Sequence, residues 1–243
     1  MKATALEFRL RYPIHLLIFF LGFTAPWDIR LHLDSIRTWQ FLAAWPARSG
    51  WISFSASTIA VLAFGIACAF IGAALRTWGS AYLGASIVKD RAMHGERVVA
   101  AGPYRYMRNP LYLGIFIHIL ALSLLMPTSG AVFTIVLVGF FEMRLILREE
   151  AFLAASLGEP YLAYCAKVPR IVPTLTPRVP GSDVRPHWGS SFLGEVYFWG
   201  AFLSFAALGW RYNSVLIGQG VLVSLGVSII ARAFIPAHRS AAE

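Results

Sequence analysis

Six apolar runs, separated by polar and turn-forming stretches, organise this chain: Pro13 to Trp27, Trp51 to Leu75, Leu111 to Met126, Gly130 to Leu147, Gly189 to Trp210 and Asn213 to Phe234. A helix that crosses a bilayer needs roughly 20 predominantly apolar residues at about 1.5 Å of rise each. Trp51 to Leu75 and Asn213 to Phe234 are long enough unaided, and Gly189 to Trp210 qualifies with Glu195 as its single interior charge. Leu111 to Met126 and Gly130 to Leu147 are shorter and are divided by Pro127-Thr128-Ser129, which predicts a tight helical hairpin in the membrane. Pro13 to Trp27 follows Lys2, Arg9 and Arg11, as a signal peptide would, but no small-x-small cleavage pattern precedes Pro26, so it reads as a span. The pattern predicts an all-α, polytopic integral membrane bundle of about six transmembrane helices.

Composition agrees. Hydrophobic residues make up 58% of the chain and charged residues 14%, with mean hydropathy +0.64, which excludes a soluble enzyme. The net charge of +9 is spread between the apolar runs and forms no basic tail or stripe, so it argues for no nucleic-acid partner. Cytoplasmic loops hold the Lys and Arg excess of membrane proteins. With six spans and both termini cytoplasmic, 17 of the 21 Lys and Arg fall inside, and Arg30, Arg37, Arg48 and Arg211 fall outside. The aromatic segment around Trp39, Phe41 and Trp45 is too short to cross and suits the interface. Cys68 and Cys165 give no disulfide framework, and no two of the six histidines stand at i, i+4 spacing, so no metal site is expected. The Ala- and Arg-rich composition points to a bacterial plasma membrane. Oligomeric state is not legible, because faces such as Gly65, Ala69 and Gly72 permit close packing within one chain or between two.

Any chemistry belongs to the two long cytoplasmic segments, Arg76 to Asn109 and Arg148 to Trp188, which flank the hairpin. Gly218-Gln219-Gly220 lies within a span and lacks a third glycine, so no dinucleotide fold is indicated. In Gly102-Pro103-Tyr104-Arg105-Tyr106-Met107-Arg108-Asn109-Pro110, Asn109 suits an N-cap and Pro110 a first helical residue. Helix amides beside Arg108 would then receive a carboxylate or phosphate. The alternative is an aromatic belt of Tyr104, Tyr106 and Tyr112 with Arg105 and Arg108 anchored on lipid phosphate. Further along, Glu142 lies within a membrane run, and Arg144, Arg148, Glu149 and Glu150 follow it. At 100° per residue Glu142 and Glu149 are about 20° apart, an acidic stripe that continues into the bilayer. Ionisable residues at that depth mark functional sites, the alternative being a structural pair of Glu142 with an Arg on another helix.

The string from Gly102 to Gly114, followed by Arg148-Glu149-Glu150, Leu153, Gly158-Glu159-Pro160-Tyr161, Tyr164, Val168, Arg170 and Pro173, resembles the isoprenylcysteine carboxyl methyltransferase and phospholipid methyltransferase superfamily. Leu75-Arg76-x-Trp78 and Leu83-Gly84 extend the likeness upstream. It divides the chain into N-terminal membrane helices (1–71), a methyltransferase-like core (72–176) and an additional C-terminal hairpin (177–243). Asn109 stands where the family has His in Arg-His-Pro, and it carries no proton. The resemblance implies S-adenosylmethionine-dependent methyl transfer at a cytoplasm-facing site to a lipophilic acceptor from the bilayer: a prenylcysteine-like carboxylate, a thiol or a lipid amine. It implies a cofactor site of Tyr104, Arg108, Asn109, Pro110, Tyr112, Leu113, Gly114, Glu149, Glu150, Tyr161 and Tyr164, with Arg108, Arg144 and Glu150 as catalytic residues. Glu142 or Glu150 is available as a base for an amine acceptor, and Arg144 or Arg148 to orient a carboxylate. Two other readings compete: an NADPH-dependent membrane reductase of the sterol-reductase type, whose Arg-Asp and Cys-x-x-Lys-Tyr-Gly pattern is missing, and a non-catalytic lipid-binding protein.

Overall fold

The computed structural model describes residues 2–24, 36–84 and 100–234. Arg30 of the expected outer loop and the 85–99 part of the expected cytoplasmic loop lie outside these residues. All regular elements among the described residues are helical: α1 (Ala5–Arg9), α2 (Arg11–Thr24), α3 (Thr38–Arg48), α4 (Phe54–Leu83), α5 (Pro110–Ser123), α6 (Thr128–Leu157), α7 (Glu159–Lys167), α8 (Trp188–Gly194), α9 (Val196–Leu203) and α10 (Ser214–Ala231).

Among the described residues each of the six apolar runs is largely helical, but they differ in reach. α4, α6 and α10 are long and apolar enough to cross a bilayer, with 30, 30 and 18 residues. α2 and α5 have 14 residues each, about 21 Å, short of a hydrocarbon core of roughly 30 Å. The single straight span expected from Gly189 to Trp210 is instead a broken one, α8 and α9 meeting at 65°. The break falls at Glu195, whose carboxylate accepts from Arg76 Nε at 2.6 Å and Nη2 at 3.0 Å on α4. Satisfying that charge dictates where the span turns. Large apolar side chains such as Leu16, Phe20, Val136, Leu222, Ile229 and Ile230 are exposed on the outside of the bundle, the surface an integral membrane protein offers to lipid.

Two close crossings set the architecture. Where α4 meets α5, a Cβ on Gly72 would lie 2.9 Å from the Gly114 carbonyl, and one on Gly114 would lie 2.8 Å from Arg76 Cγ. Where α2 meets α6, a Cβ on Gly130 would overlap the Gly22 carbonyl. Small residues let helices in lipid approach closely enough for dispersion to hold them together. The predicted hairpin forms as expected, α5 ending at Ser123 and α6 starting at Thr128. Interfacial α3 docks on its turn, with the Thr38 amide and hydroxyl both donating to the Met126 carbonyl. On the opposite end, residues 169–182 run antiparallel to 100–108 as a strap that continues to Ala81 at the end of α4. Amides of Thr174, Arg178, Ser182 and His187 donate to carbonyls of Tyr106, Arg105, Ala100 and Ala81, and the Arg108 amide donates to Pro169.

Glu195→Ala strips a buried Arg76 of its partner and should cost about 3–5 kcal/mol, the range for breaking a buried pair. Denaturation in detergent should show that loss, and Arg76→Met combined with Glu195→Ala should recover most of it. A double variant no more stable than the single one would show that the pair does more than neutralise charge.

Candidate active site

The strap and the α5–α6 hairpin converge on one carboxylate. Glu150, near the end of α6, accepts from Arg108 (Nε to Oε1, 3.0 Å), from Asn109 (Nδ2 to Oε1, 3.1 Å) and from Arg170 (Nε to Oε2, 3.0 Å). The Glu150 and Arg108 side chains are only 11% and 10% exposed, whereas Arg170 is 42% exposed, so the cluster is open to water from the strap side alone. The Arg108 fork also donates through Nη1 to the Cys165 and Val168 carbonyls at 2.7 and 2.9 Å. One guanidinium thus joins the start of α5, the end of α6, α7 and the strap.

Asn109 does not act as the expected side-chain N-cap. Its Nδ2 donates to Glu150 and to the Arg170 carbonyl, both at 3.1 Å, and its Oδ1 accepts from no first-turn amide of α5. Amides at a helix start attract negative charge. Pro110 takes the first helical position, as expected, and Leu113 lies half-buried a turn further on. Gly114 is the small residue of the α4–α5 crossing, where any side chain would collide with Arg76.

The acidic stripe of α6 meets two different helices. Glu149 accepts from the Tyr112 hydroxyl at 2.9 Å on α5. Glu142 faces His15 of α2 at 3.9 Å, not an arginine. Arg144 stays out of the Arg108–Glu150 cluster: its Nη2 donates to Glu7 at 2.9 Å and to the Lys2 carbonyl, tying α1 to α6. Arg148 likewise donates to the Ala3 carbonyl at 3.0 Å, and Arg105 to the Val179 carbonyl at 3.0 Å, a strap contact rather than a lipid anchor.

Three tyrosines line the region under the strap. Tyr161 and Tyr164 are buried on α7 with ring centroids 5.9 Å apart, and the Tyr164 hydroxyl donates to the Tyr104 carbonyl at 2.7 Å. Burial pushes all three phenols above their ordinary range, so they remain protonated donors near neutral pH. Gly102 is required where the chain enters this region, since at φ +53° a Cβ would strike the Tyr82 ring.

Sequence reading placed Arg108, Asn109, Glu150 and the tyrosines together but left Arg170 out of the site. Arg170 lies in the quoted pattern, yet nothing in a spacing of 20 residues shows that a strap folds it back onto Glu150. His15 and the Arg76–Glu195 pair were also missed, although a lone Glu within an apolar run was the available signal. Among the described residues no cluster of metal-ligating side chains occurs.

Residues 60–159 match the family model described as phospholipid methyltransferase. The chain is 34% identical over 129 residues to the protein-S-isoprenylcysteine O-methyltransferase of Schizosaccharomyces pombe, covering 51% of this chain and 53% of that protein. It is 33% identical over 109 residues to probable protein-S-isoprenylcysteine O-methyltransferases of Oryza sativa subspecies indica and japonica, covering 43% of this chain and 56% of each. The chain therefore spans about half the length of the curated relatives it matches. These relatives are eukaryotic and lend the expected bacterial origin no support. No solved structure matches the chain.

Arg108→Ala takes one of three side-chain donors from Glu150 and the guanidinium donor from two carbonyls, and should destabilise the protein by about 2–3 kcal/mol. Arg108→Lys should restore only part of this, because an ammonium cannot reproduce a fork that serves three acceptors. Thermal unfolding in detergent measures both, and an unchanged midpoint for Arg108→Ala would dismiss its role as the junction.

Proposed function

From the membership of residues 60–159 in the isoprenylcysteine carboxyl and phospholipid methyltransferase superfamily, we propose that this integral membrane protein transfers a methyl group from S-adenosylmethionine to a lipophilic acceptor. The observation that carries this reading is the convergence of Arg108, Asn109, Arg170 and Glu150 at the uncapped start of α5, beside buried tyrosines.

The donor set fits the cofactor. The first-turn amides of α5 and the exposed edge of Arg170 suit its carboxylate, Glu149 and Glu150 its positive charges, and Tyr104, Tyr161 and Tyr164 the apolar face of its adenosine. When bound, it supplies an already activated methyl group. The protein's own task is alignment and exclusion of water. The Arg108 junction holds α5, α6 and the strap in register, so the residues flanking the reacting centre do not drift. Tyr164 locks α7 onto the 3-10 turn at Gly102–Arg105, closing the region from one side. Arg144 and Arg148, occupied at the α1 end, are not placed to orient an acceptor carboxylate at Glu150. For an amine acceptor, Glu150 is the carboxylate of the cluster and would take the proton.

The Lys and Arg distribution supports a site that faces the cytoplasm with both termini on that side. The soluble donor then enters from water and the acceptor from lipid. Asn109 replaces an imidazole with an amide that only donates and accepts hydrogen bonds, so no proton passes through this position.

Calorimetry on the detergent-purified protein should show saturable binding of S-adenosylmethionine and S-adenosylhomocysteine and none of NADPH. Glu150→Gln should weaken donor affinity by the equivalent of about 1.5–3 kcal/mol, roughly ten- to a hundredfold. A folded protein that ignores both adenosyl compounds would end this reading.

A further inference from the structure

A groove of about 430 Å³ opens on the lipid-facing side of the bundle, between α4 and the C-terminal helices α8 and α9. Its walls are Phe70, Ala74 and Trp78 on one side and Trp188, Phe192 and Trp199 on the other. The volume is that of a small-molecule site. Phe70, Trp188 and Phe192 are nearly half exposed, so the groove is reached sideways from the membrane. Thr77 is already engaged: its hydroxyl accepts from the Trp199 indole at 2.8 Å, and its carbonyl accepts from Ser191 at 2.6 Å. The rest of the lining is aromatic and aliphatic, and hydrocarbon is the chemistry that fits.

Continuity with the candidate active site identifies whose hydrocarbon it is. Trp78, at the inner end, packs against Tyr106 with ring centroids 6.0 Å apart, and Tyr106 lies two residues before Arg108. Trp188 packs on Tyr82, the ring that fills the space beside Gly102. The groove runs about 12 Å along α4 from Phe70 to Trp78, eight residues at 1.5 Å each, and ends at the stretch that carries the site. We propose that it holds the hydrocarbon chain of the methyl acceptor, tail toward Phe70 and reacting end toward Tyr106 and Arg108. The identity of the chain's owner rests on the methyl-transfer reading. A third of the groove's lining residues, Trp188, Phe192 and Trp199, come from α8 and α9, beyond the segment that matches the family model. The C-terminal hairpin is thereby an acceptor-binding element, held on the core by the Arg76–Glu195 pair.

The test uses the full chain in phosphatidylcholine nanodiscs and an S-farnesyl thioether that carries a diazirine on its hydrocarbon chain. Irradiation should label peptides from residues 70–78 and 188–199, and excess non-photoactive thioether should remove the label. Ala74→Phe fills the groove and should cut labelling at least fivefold. Phe192→Asn, at an exposed position that tolerates substitution, should cut it severalfold should Ala74→Phe fail to fold. Label found only elsewhere, label unaffected by both folded variants, or equal labelling by a diazirine-bearing phosphatidylcholine would overturn the proposal, the last outcome marking an ordinary lipid groove. Labelling requires no methyl donor. Its failure is therefore distinct from a failure of methyl transfer, which the calorimetry above reads.

Discussion

Glu150 is a single carboxylate with three side-chain donors from two parts of the chain that lie far apart in sequence, and the cytoplasmic end of the bundle is organised around it. Arg108 and Asn109 approach from the start of α5 and Arg170 from the strap, while Glu150 itself ends the hydrophobic length of α6. A carboxylate this shielded is tolerable only with its lone pairs filled. The same requirement that satisfies Glu150 therefore pulls the strap across the site, brings α7 beneath it and aligns the two helices of the hairpin. Because the Arg108 fork is shared with the Cys165 and Val168 carbonyls, the junction is geometric as well as electrostatic.

A second buried pair performs the equivalent task for the membrane half. Arg76 lies beneath Gly114 at the close α4–α5 crossing and reaches Glu195 at the break between α8 and α9, with the Phe198 ring 4.5 Å from its guanidinium. Two ions in such surroundings gain little net stability from each other. Either one alone would be expensive, so the partnership specifies where the hairpin docks. The docking creates the apolar groove and gives the hairpin a place in the proposed reaction that its position outside the matched family segment would not suggest.

The two pairs divide the labour between water and lipid. The Glu150 cluster faces the strap and, through Arg170, the solvent, as a charged cofactor requires. The groove is lined by aromatic and aliphatic side chains, as the proposed acceptor tail requires. Trp78 and Tyr106 are where the two surfaces meet. A methyl transfer between a soluble donor and a lipid acceptor needs such a meeting point at the interface.

Hydropathy was enough to locate the apolar runs that fold as helix and to put a turn beside Pro127, because exclusion of polar backbone from lipid leaves helices as the only way for an apolar run to be satisfied. The motif from Gly102 to Gly114, with Glu149 and Glu150, was likewise legible as a candidate site, since it gathers charged and aromatic residues at the start of an apolar helix. Periodicity could not show which helices fall short of a full span, that Glu195 breaks its helix, or that Asn109 turns from capping to Glu150. Nor could it separate Arg144, engaged by Glu7, from Arg170, engaged by Glu150. Each of those outcomes depends on which distant group lies within hydrogen-bonding reach after the helices have packed. The sequence by itself determined the apolar segments and the chemical character of the site, because both follow from local composition. Only the tertiary structure decided the pairing of charges, because an ion in a low-dielectric interior takes whichever partner the packing brings to it.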